Sequence, residues 1–215
     1  MAKYHYQIRR CESRDCGLRY PLLKDIPFGT TCPRCSSTTI LVDTIFLEDE
    51  PAVQAGHTNN PWLGVLLDNV RSAWNVGSIF RTSDGVGIQR LYLCGITPTP
   101  KNPLVLKTSL GAEKNIPWQH DTDGVQVALT LKDQGKKLWA MELGENSESL
   151  YDHLDKTIDE PIVLVFGNEM IGIDPGILEH CERMISLPMY GGKRSLNVAV
   201  AFGIVSFTMR YIADT

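Results

Sequence analysis

Four cysteines fall within the first 35 residues of the 215-residue chain: Cys11 and Cys16 in CESRDC, then Cys32 and Cys35 in CPRC. Fifteen residues separate the two pairs. Thiolates in two close pairs across such a span fit a zinc ribbon, each pair on a tight turn with the metal between them. Gly17 after the first pair and Pro33 inside the second suit those turns. Two disulfides would need an oxidising compartment, and a redox CxxC would leave the other pair without a role. Four thiolates leave no open coordination position, so the expected metal is structural. A segment of about 40 residues also buries too little surface to fold without a staple.

A second set of reactive side chains lies in four loops rich in Gly, Asn or Pro: DNVRSAWNVGSIFRTSDG, CGITPTP, GNEMIGIDP and MYGGKRSLN. Each follows a short apolar run. LGVLLD (63–68), RLYLCG (90–95), KLWAMEL (137–143), PIVLVFG (161–167) and RMISLPM (183–189) are nearly continuous in apolar residues rather than alternating. That is the pattern of strands covered on both faces. Between them, 76–85, 124–134 and 175–181 read as helices, and 195–212 as the longest helix. The alternation predicts an α/β domain with a mostly parallel sheet, whose ligands sit beyond the carboxyl ends of the strands. Neither GxGxxG nor GxxxxGK[ST] occurs, so the dinucleotide and P-loop fingerprints are missing.

Composition frames these sites. Apolar residues are 43% and charged ones 21%, with a net charge of −4, which fits a soluble globular protein rather than a disordered one. Residues 1–37 hold seven Lys/Arg against three acids, a balance of +4, leaving 14 bases and 22 acids, or −8, for the rest. A basic end module on an acidic body points to a local polyanion contact. The acidic, then Pro- and Asn-bearing stretch 47–61 reads as a linker, giving modules over 1–46 and 62–215. The most apolar run, Leu196 to Phe207, is far shorter than the roughly 20 residues a membrane helix needs. With no signal-peptide pattern at the start, a cytoplasmic protein with no membrane partner is expected.

NVGSIFRT (75–82), LVFGNEMIGI (164–173) and LPMYGGKRSLNVAVA (187–201) resemble, in order and spacing, the three motifs of the SpoU/TrmH-type RNA 2′-O-methyltransferases. KTSLGAE (107–113) resembles a segment those enzymes carry between the first two motifs. The likeness spans roughly 62–213 and leaves the zinc module outside it. It implies a SPOUT fold, a parallel α/β sheet whose C-terminal part is threaded into a trefoil knot. It also implies a homodimer with S-adenosylmethionine bound in the knot. Ordinary topological rules would exclude a knot; only the resemblance supplies it.

The resemblance carries over to particular residues. Gly167, Leu187, Leu196 and Met141 match cofactor-binding positions, and Asn75, Arg81, Glu169, Ser195 and Asn197 match catalytic and substrate-binding ones. Arg81 is the residue expected at the 2′-hydroxyl. A guanidinium stays protonated, so its expected role is to hold phosphate and stabilise an emerging alkoxide, with the general base unassigned. Gly167 is expected to let the backbone approach the cofactor, and Gly191 and Gly192 to allow a tight turn. Ser195 and Asn197 are placed at the first turn of the last helix. Lys193 and Arg194, with Arg9, Arg10, Arg14 and Arg34 around the zinc site, are the expected phosphate contacts on tRNA or rRNA. Cys94 and Cys181 read as core thiols. Two rivals stay open: a non-catalytic RNA-binding protein that keeps the fold, and a methyltransferase acting on a base.

Overall fold

The structure is a computed structural model that describes residues 3–24, 30–48, 63–144, 146–153 and 160–214. The chain divides into two compact units, Met1–Gln54 and Ala55–Thr215. Most of the expected linker, from residue 49 on, lies outside the described residues.

The first unit is a three-stranded antiparallel sheet in the order β2-β1-β3, with β1 at Lys3–Cys11, β2 at Arg19–Leu23 and β3 at Thr39–Glu48. A bulge between Ile8 and Arg9 shifts the β1–β3 register, which bends the strand toward its cysteine end. Among the sheet's described side chains only Cys11 and Thr39 are buried. The core of this unit is the cysteine cluster itself, with Cys32 the other buried member.

The second unit is built on a seven-stranded sheet of order β6-β5-β4-β9-β7-β10-β8, and every pairing in it is parallel. Its strands are β4 (Leu63–Asp68), β5 (Arg90–Cys94), β6 (Trp118–Asp121), β7 (Lys137–Met141), β8 (Glu148–Ser149), β9 (Ile162–Phe166) and β10 (Arg183–Ser186). The helices are α1 (Ala73–Val86), α2 (Pro103–Ser109), α3 (Gly124–Asp133), α4 (Pro175–Leu178) and α5 (Val198–Asp214).

Alternate residues of each central strand feed two separate cores. Val65 and Leu67 of β4 with Leu164 and Phe166 of β9 pack under α1 and α5. Leu66, Val163 and Val165 pack under α3 and α4. Every residue of β4 and β9 is buried, which is why these strands read as unbroken apolar runs. All five apolar runs are strands; β4 fills its run, and the other four end one to three residues before theirs. The helix expected over 175–181 closes after Leu178, capped by its own Asp174 carboxylate accepting from Gly176 N.

Helix ends fix where the loops point. Ser72 caps α1, its Oγ accepting from Asn75 N, and Gly87 ends it at φ 76°. Asn197 caps α5, its Oδ1 accepting from Ala199 N at 2.9 Å. The last helix therefore starts at Val198, and Ser195 lies in the loop before it. This corrects the expected helix start: an asparagine cap fills the N-terminal N–H groups that a serine two residues earlier does not reach.

Candidate active site

The loops after β4, β7, β9 and β10 converge at the carboxyl end of the sheet, where the topology places ligand sites. A cavity of about 520 Å³ opens there. Its floor is apolar, with Phe166, Ile185, Ala201 and Val205, and Met141, Gly167, Leu187 and Leu196 line it together. All four positions expected to hold a cofactor thus share one wall. Glu169, Ser195 and Asn197 line the same cavity.

The turn after β9 is tightly determined. Asn168 and Gly172 exchange two backbone hydrogen bonds of 2.9 Å. Asn168 Oδ1 accepts from Met170 N at 2.9 Å, while its Nδ2 donates to Asn69 O at 2.8 Å. A Cβ on Gly167 would come closer than 3.0 Å to the carbonyl of Gly172 and to Ile173 N. Gly167 is therefore required by the chain's own return path, a demand that its place in the motif did not reveal. Gly172 adopts φ 78°, and Glu142 Oε2 accepts from Ile173 N at 3.1 Å.

Glu169 links this turn to α1. Its carboxylate accepts from Arg71 N at 3.0 Å, Ser72 N at 3.2 Å and Asn75 Nδ2 at 3.1 Å. Asn75 Oδ1 in turn accepts from Asn197 Nδ2 at 3.0 Å. A continuous chain of hydrogen bonds thus joins the three motifs, Asn75 of the first lying 94 residues before Glu169 and 122 before Asn197. Partial burial raises the Glu169 pKa, but the N–H donors of Arg71, Ser72 and Asn75 outweigh it and hold the carboxyl below the usual range. A carboxylate so occupied is a weak base, and its geometry serves to position Asn75.

The sign of the pH effect follows. A depressed folded pKa contributes stability that is present above the unfolded value, about 4.3 for Glu, and is lost as pH falls through the folded value. Glu169→Gln is expected to lower the melting temperature by a few degrees near neutral pH. That gap should close on acidification below about pH 4.3. Melting curves across pH check it; a constant gap would rule out the carboxylate's charge as the cause.

Arg81 stands apart. It is exposed on α1, six residues or about 9 Å of helix rise beyond Asn75, and it does not line the cavity. Lys193 and Arg194 are exposed on the loop before α5 and have no ion-pair partner among the described residues. Gly191 and Gly192 show neither a left-handed φ nor a crowded Cβ position, so no steric demand for glycine exists at this turn.

Sequence reasoning missed three residues. Asp68 is 2% exposed and accepts from Asp174 N at 2.9 Å and Asn69 Nδ2 at 2.7 Å. Burial, chiefly, pushes its carboxyl up. It ties the end of β4 to the start of α4. Asn168 and Glu142 brace the turn from its two sides. Their signal was positional, since each ends or follows an apolar strand run.

In the first unit, the Sγ atoms of Cys11, Cys16, Cys32 and Cys35 all lie within 4.8 Å of one another, and none is in a disulfide. Cys11 and Cys35 are 3.4 Å apart, Cys16 and Cys32 3.7 Å. A tetrahedral zinc with bonds of about 2.3 Å requires sulfurs about 3.8 Å apart, so the cluster fits. Both turns place the residue after the second cysteine in the left-handed region, Gly17 at φ 56° and Ser36 at φ 60°. Arg9, expected to meet phosphate, is committed within the module: its guanidinium donates to Thr39 Oγ1, Thr39 O and Gln7 Oε1. Arg10, Arg14 and Arg34 are exposed. Outside the cluster, burial pushes the thiols of Cys94 and Cys181 up to about 12, which makes them inert core groups.

Comparison with known proteins adds the following. The family model for the SpoU rRNA Methylase family matches residues 63–207. The chain is 35% identical over 143 residues to a tRNA (guanosine(18)-2′-O)-methyltransferase of Aquifex aeolicus, covering 66% of each chain. It is 31% identical over 151 residues to the 23S rRNA (guanosine-2′-O-)-methyltransferase RlmB of Pseudomonas putida, covering 70% of this chain and 59% of that one. The chain thus spans two thirds or less of these relatives' length. Among solved structures, an AdoMet-bound rRNA methyltransferase from Sinorhizobium meliloti superposes with a TM-score of 0.63 at 28% identity, over 70% of this chain and 56% of that one. The cysteine module lies outside the family match.

Proposed function

The chain belongs to the SpoU rRNA methylase family, and from that premise we propose that it transfers a methyl group from S-adenosylmethionine to a ribose 2′-hydroxyl of tRNA or rRNA. The observation that carries the reading is the cavity's lining. It is apolar at its floor, and among the described residues its only charged side chains are Glu142 and Glu169. Two carboxylates and no cation disfavour a phosphate-bearing cofactor and suit one with a positive charge. Gly167, Leu187, Leu196 and Met141 would hold it. When bound, it supplies a methyl group on a cationic sulfur. The names of the relatives, which act on tRNA and on 23S rRNA, support an RNA acceptor.

The chain's own residues align the acceptor. Glu169 fixes Asn75, and Asn75 with Asn197 presents paired amides beside the cavity, so positioning carries much of the rate. Ser195 offers a hydroxyl at the same rim. Arg81, exposed on α1 and outside the cavity, would hold the phosphate neighbouring the target ribose and stabilise the developing alkoxide once RNA is bound. Glu169 is too weak a base to take the hydroxyl proton. Arg81→Ala is expected to lower methyl transfer by at least a hundredfold while S-adenosylmethionine affinity stays within about twofold of wild type. Retained turnover would remove Arg81 from the mechanism.

The finer parts of the reading are these. The segment from β9 to α5 forms the family's trefoil knot. A second copy of the chain covers the exposed stripe Val200, Ile204, Phe207 and Tyr211 of α5, whose i, i+4, i+7, i+11 spacing makes one helix face. The four cysteines hold structural zinc, and Arg10, Arg14 and Arg34 of that module, with Lys193 and Arg194, contact phosphates. Such contacts give affinity without sequence information. No helix among the described residues is long and apolar enough to cross a membrane; a cytoplasmic setting, where thiols stay reduced, completes the proposal. Mapping 2′-O-methylation across cellular RNAs with and without the protein tests it and names the acceptor. No site lost on deletion would leave the non-catalytic RNA-binding reading in its place.

A further inference from the structure

The three most exposed large apolar side chains among the described residues are Tyr190 at 93%, Ile171 at 83% and Met170 at 78%. They belong to the two loops that follow β9 and β10, and both loops line the cavity. Met170 and Ile171 line the cavity mouth, and Tyr190 directly follows Met189, which lines it too. The exposure of Met170 and Ile171 is not slack. Asn168 Oδ1 accepts from the backbone N–H of Met170 at 2.9 Å and of Ile171 at 3.4 Å, so the turn holds its two apolar side chains outward. Beside Tyr190, a Cβ built on Gly191 or Gly192 would meet nothing within 4 Å, so the chain is uncrowded there. Lys193 and Arg194 follow in the same exposed loop.

Apolar side chains held in water beside Lys193 and Arg194 offer a ring face and positive charge together. They match an unpaired nucleotide. An aromatic face stacks on a base, and adjoining cations meet its phosphates. A duplex offers no free base face, since its bases are already stacked.

We propose that Tyr190, with Ile171 and Met170, forms a lip that receives an unpaired base of the RNA substrate, Tyr190 stacking on it while Lys193 and Arg194 hold the adjacent phosphates. The proposal rests on the RNA-methyltransferase reading and sharpens it: the target nucleotide enters single-stranded or splayed from its helix.

The test measures binding of a short fluorescein-labelled RNA, unpaired or annealed to its complement, by anisotropy with S-adenosylhomocysteine present. Wild type, Tyr190→Ala and Tyr190→Phe are compared, with S-adenosylmethionine affinity measured separately by calorimetry. Tyr190→Ala is expected to lose roughly tenfold in affinity for unpaired RNA and none for duplex. Tyr190→Phe should retain wild-type binding, and cofactor affinity should be unchanged in both. Unaltered binding of unpaired RNA by Tyr190→Ala overturns the proposal, as does an equal loss on duplex. A change from dimer to monomer with RNA binding intact assigns the lip to a protein contact and also overturns it. Wild type that binds neither cofactor nor RNA defeats the methyltransferase reading itself. Wild type that binds both, matched by Tyr190→Ala, defeats only the lip.

Discussion

Gly167→Ala is expected to weaken S-adenosylmethionine binding by one to two orders of magnitude while the larger unit still folds. Gly167 leaves β9, whose five residues are all buried, and the chain must double back at once through Asn168–Gly172. The added Cβ would press on the carbonyl of Gly172 and on Ile173 N. Those are backbone atoms, so no rotamer change relieves the contact and the turn itself must move. Its far side is blocked, because Gly172 lies against the Glu142 carboxylate and any Cβ there would strike it. Overpacking of this kind costs about 1–3 kcal/mol, which corresponds to roughly 10- to 100-fold in affinity. The displaced turn carries Glu169 and hence Asn75, so turnover should fall further than affinity. Calorimetric titration and a thermal melt check this. Affinity within twofold of wild type would mean that the turn does not build the cofactor wall.

Removing metal is expected to unfold the N-terminal unit outright. Beyond the cysteines, Thr39 is the only buried residue among the sheet's described side chains, so little besides the cysteine cluster holds the three strands together. Thiolate zinc sites supply about 10–16 kcal/mol of apparent binding energy, which is folding energy in a unit this small. Cys32→Ser, or a strong chelator acting on wild type, should abolish the dispersed amide resonances of residues 3–48. The melting temperature of the larger unit and its cofactor affinity should persist, since its two cores draw on none of the first unit's residues. RNA affinity should fall and lose part of its salt dependence as Arg10, Arg14 and Arg34 scatter. Resonances that survive a metal-free preparation would show that the cysteines hold no structural ion.

How much of this was readable from sequence depends on which force set each feature. The central strands were legible because burial on both faces leaves no polar position to break the run, as in LGVLLD and PIVLVF. Edge strand β6, WQHD, was not: its residues are only half-buried or exposed, and no apolar period remains to mark it. The same holds for α2, seven residues long, whose place is set by packing on α1. There a Cβ on Gly77 would collide with Val105 and Thr108.

Within the site, motif spacing brought together Asn75, Glu169, Asn197 and the four cofactor positions, because order along a parallel sheet fixes which loops meet. It did not distinguish neighbours within a loop. Asn197, not Ser195, caps α5, a choice made by one hydrogen-bond geometry. Arg9 counted as basic charge, yet the bulge beside it turns its guanidinium onto Thr39. Arg81 shares a motif with Asn75 but lies farther along α1 and outside the cavity. Glu142, a single glutamate at a strand end, had no partner in sequence to give it away; only the fold brings Ile173 N to it.

The central claim is that this cavity serves methyl transfer to a ribose oxygen. Purified protein should be incubated with total RNA and methyl-labelled S-adenosylmethionine, and the RNA then digested to nucleosides. The account predicts label in 2′-O-methylnucleosides, absent with Arg81→Ala. Label in a base-methylated nucleoside, or no transfer by protein that binds both cofactor and RNA, would contradict it.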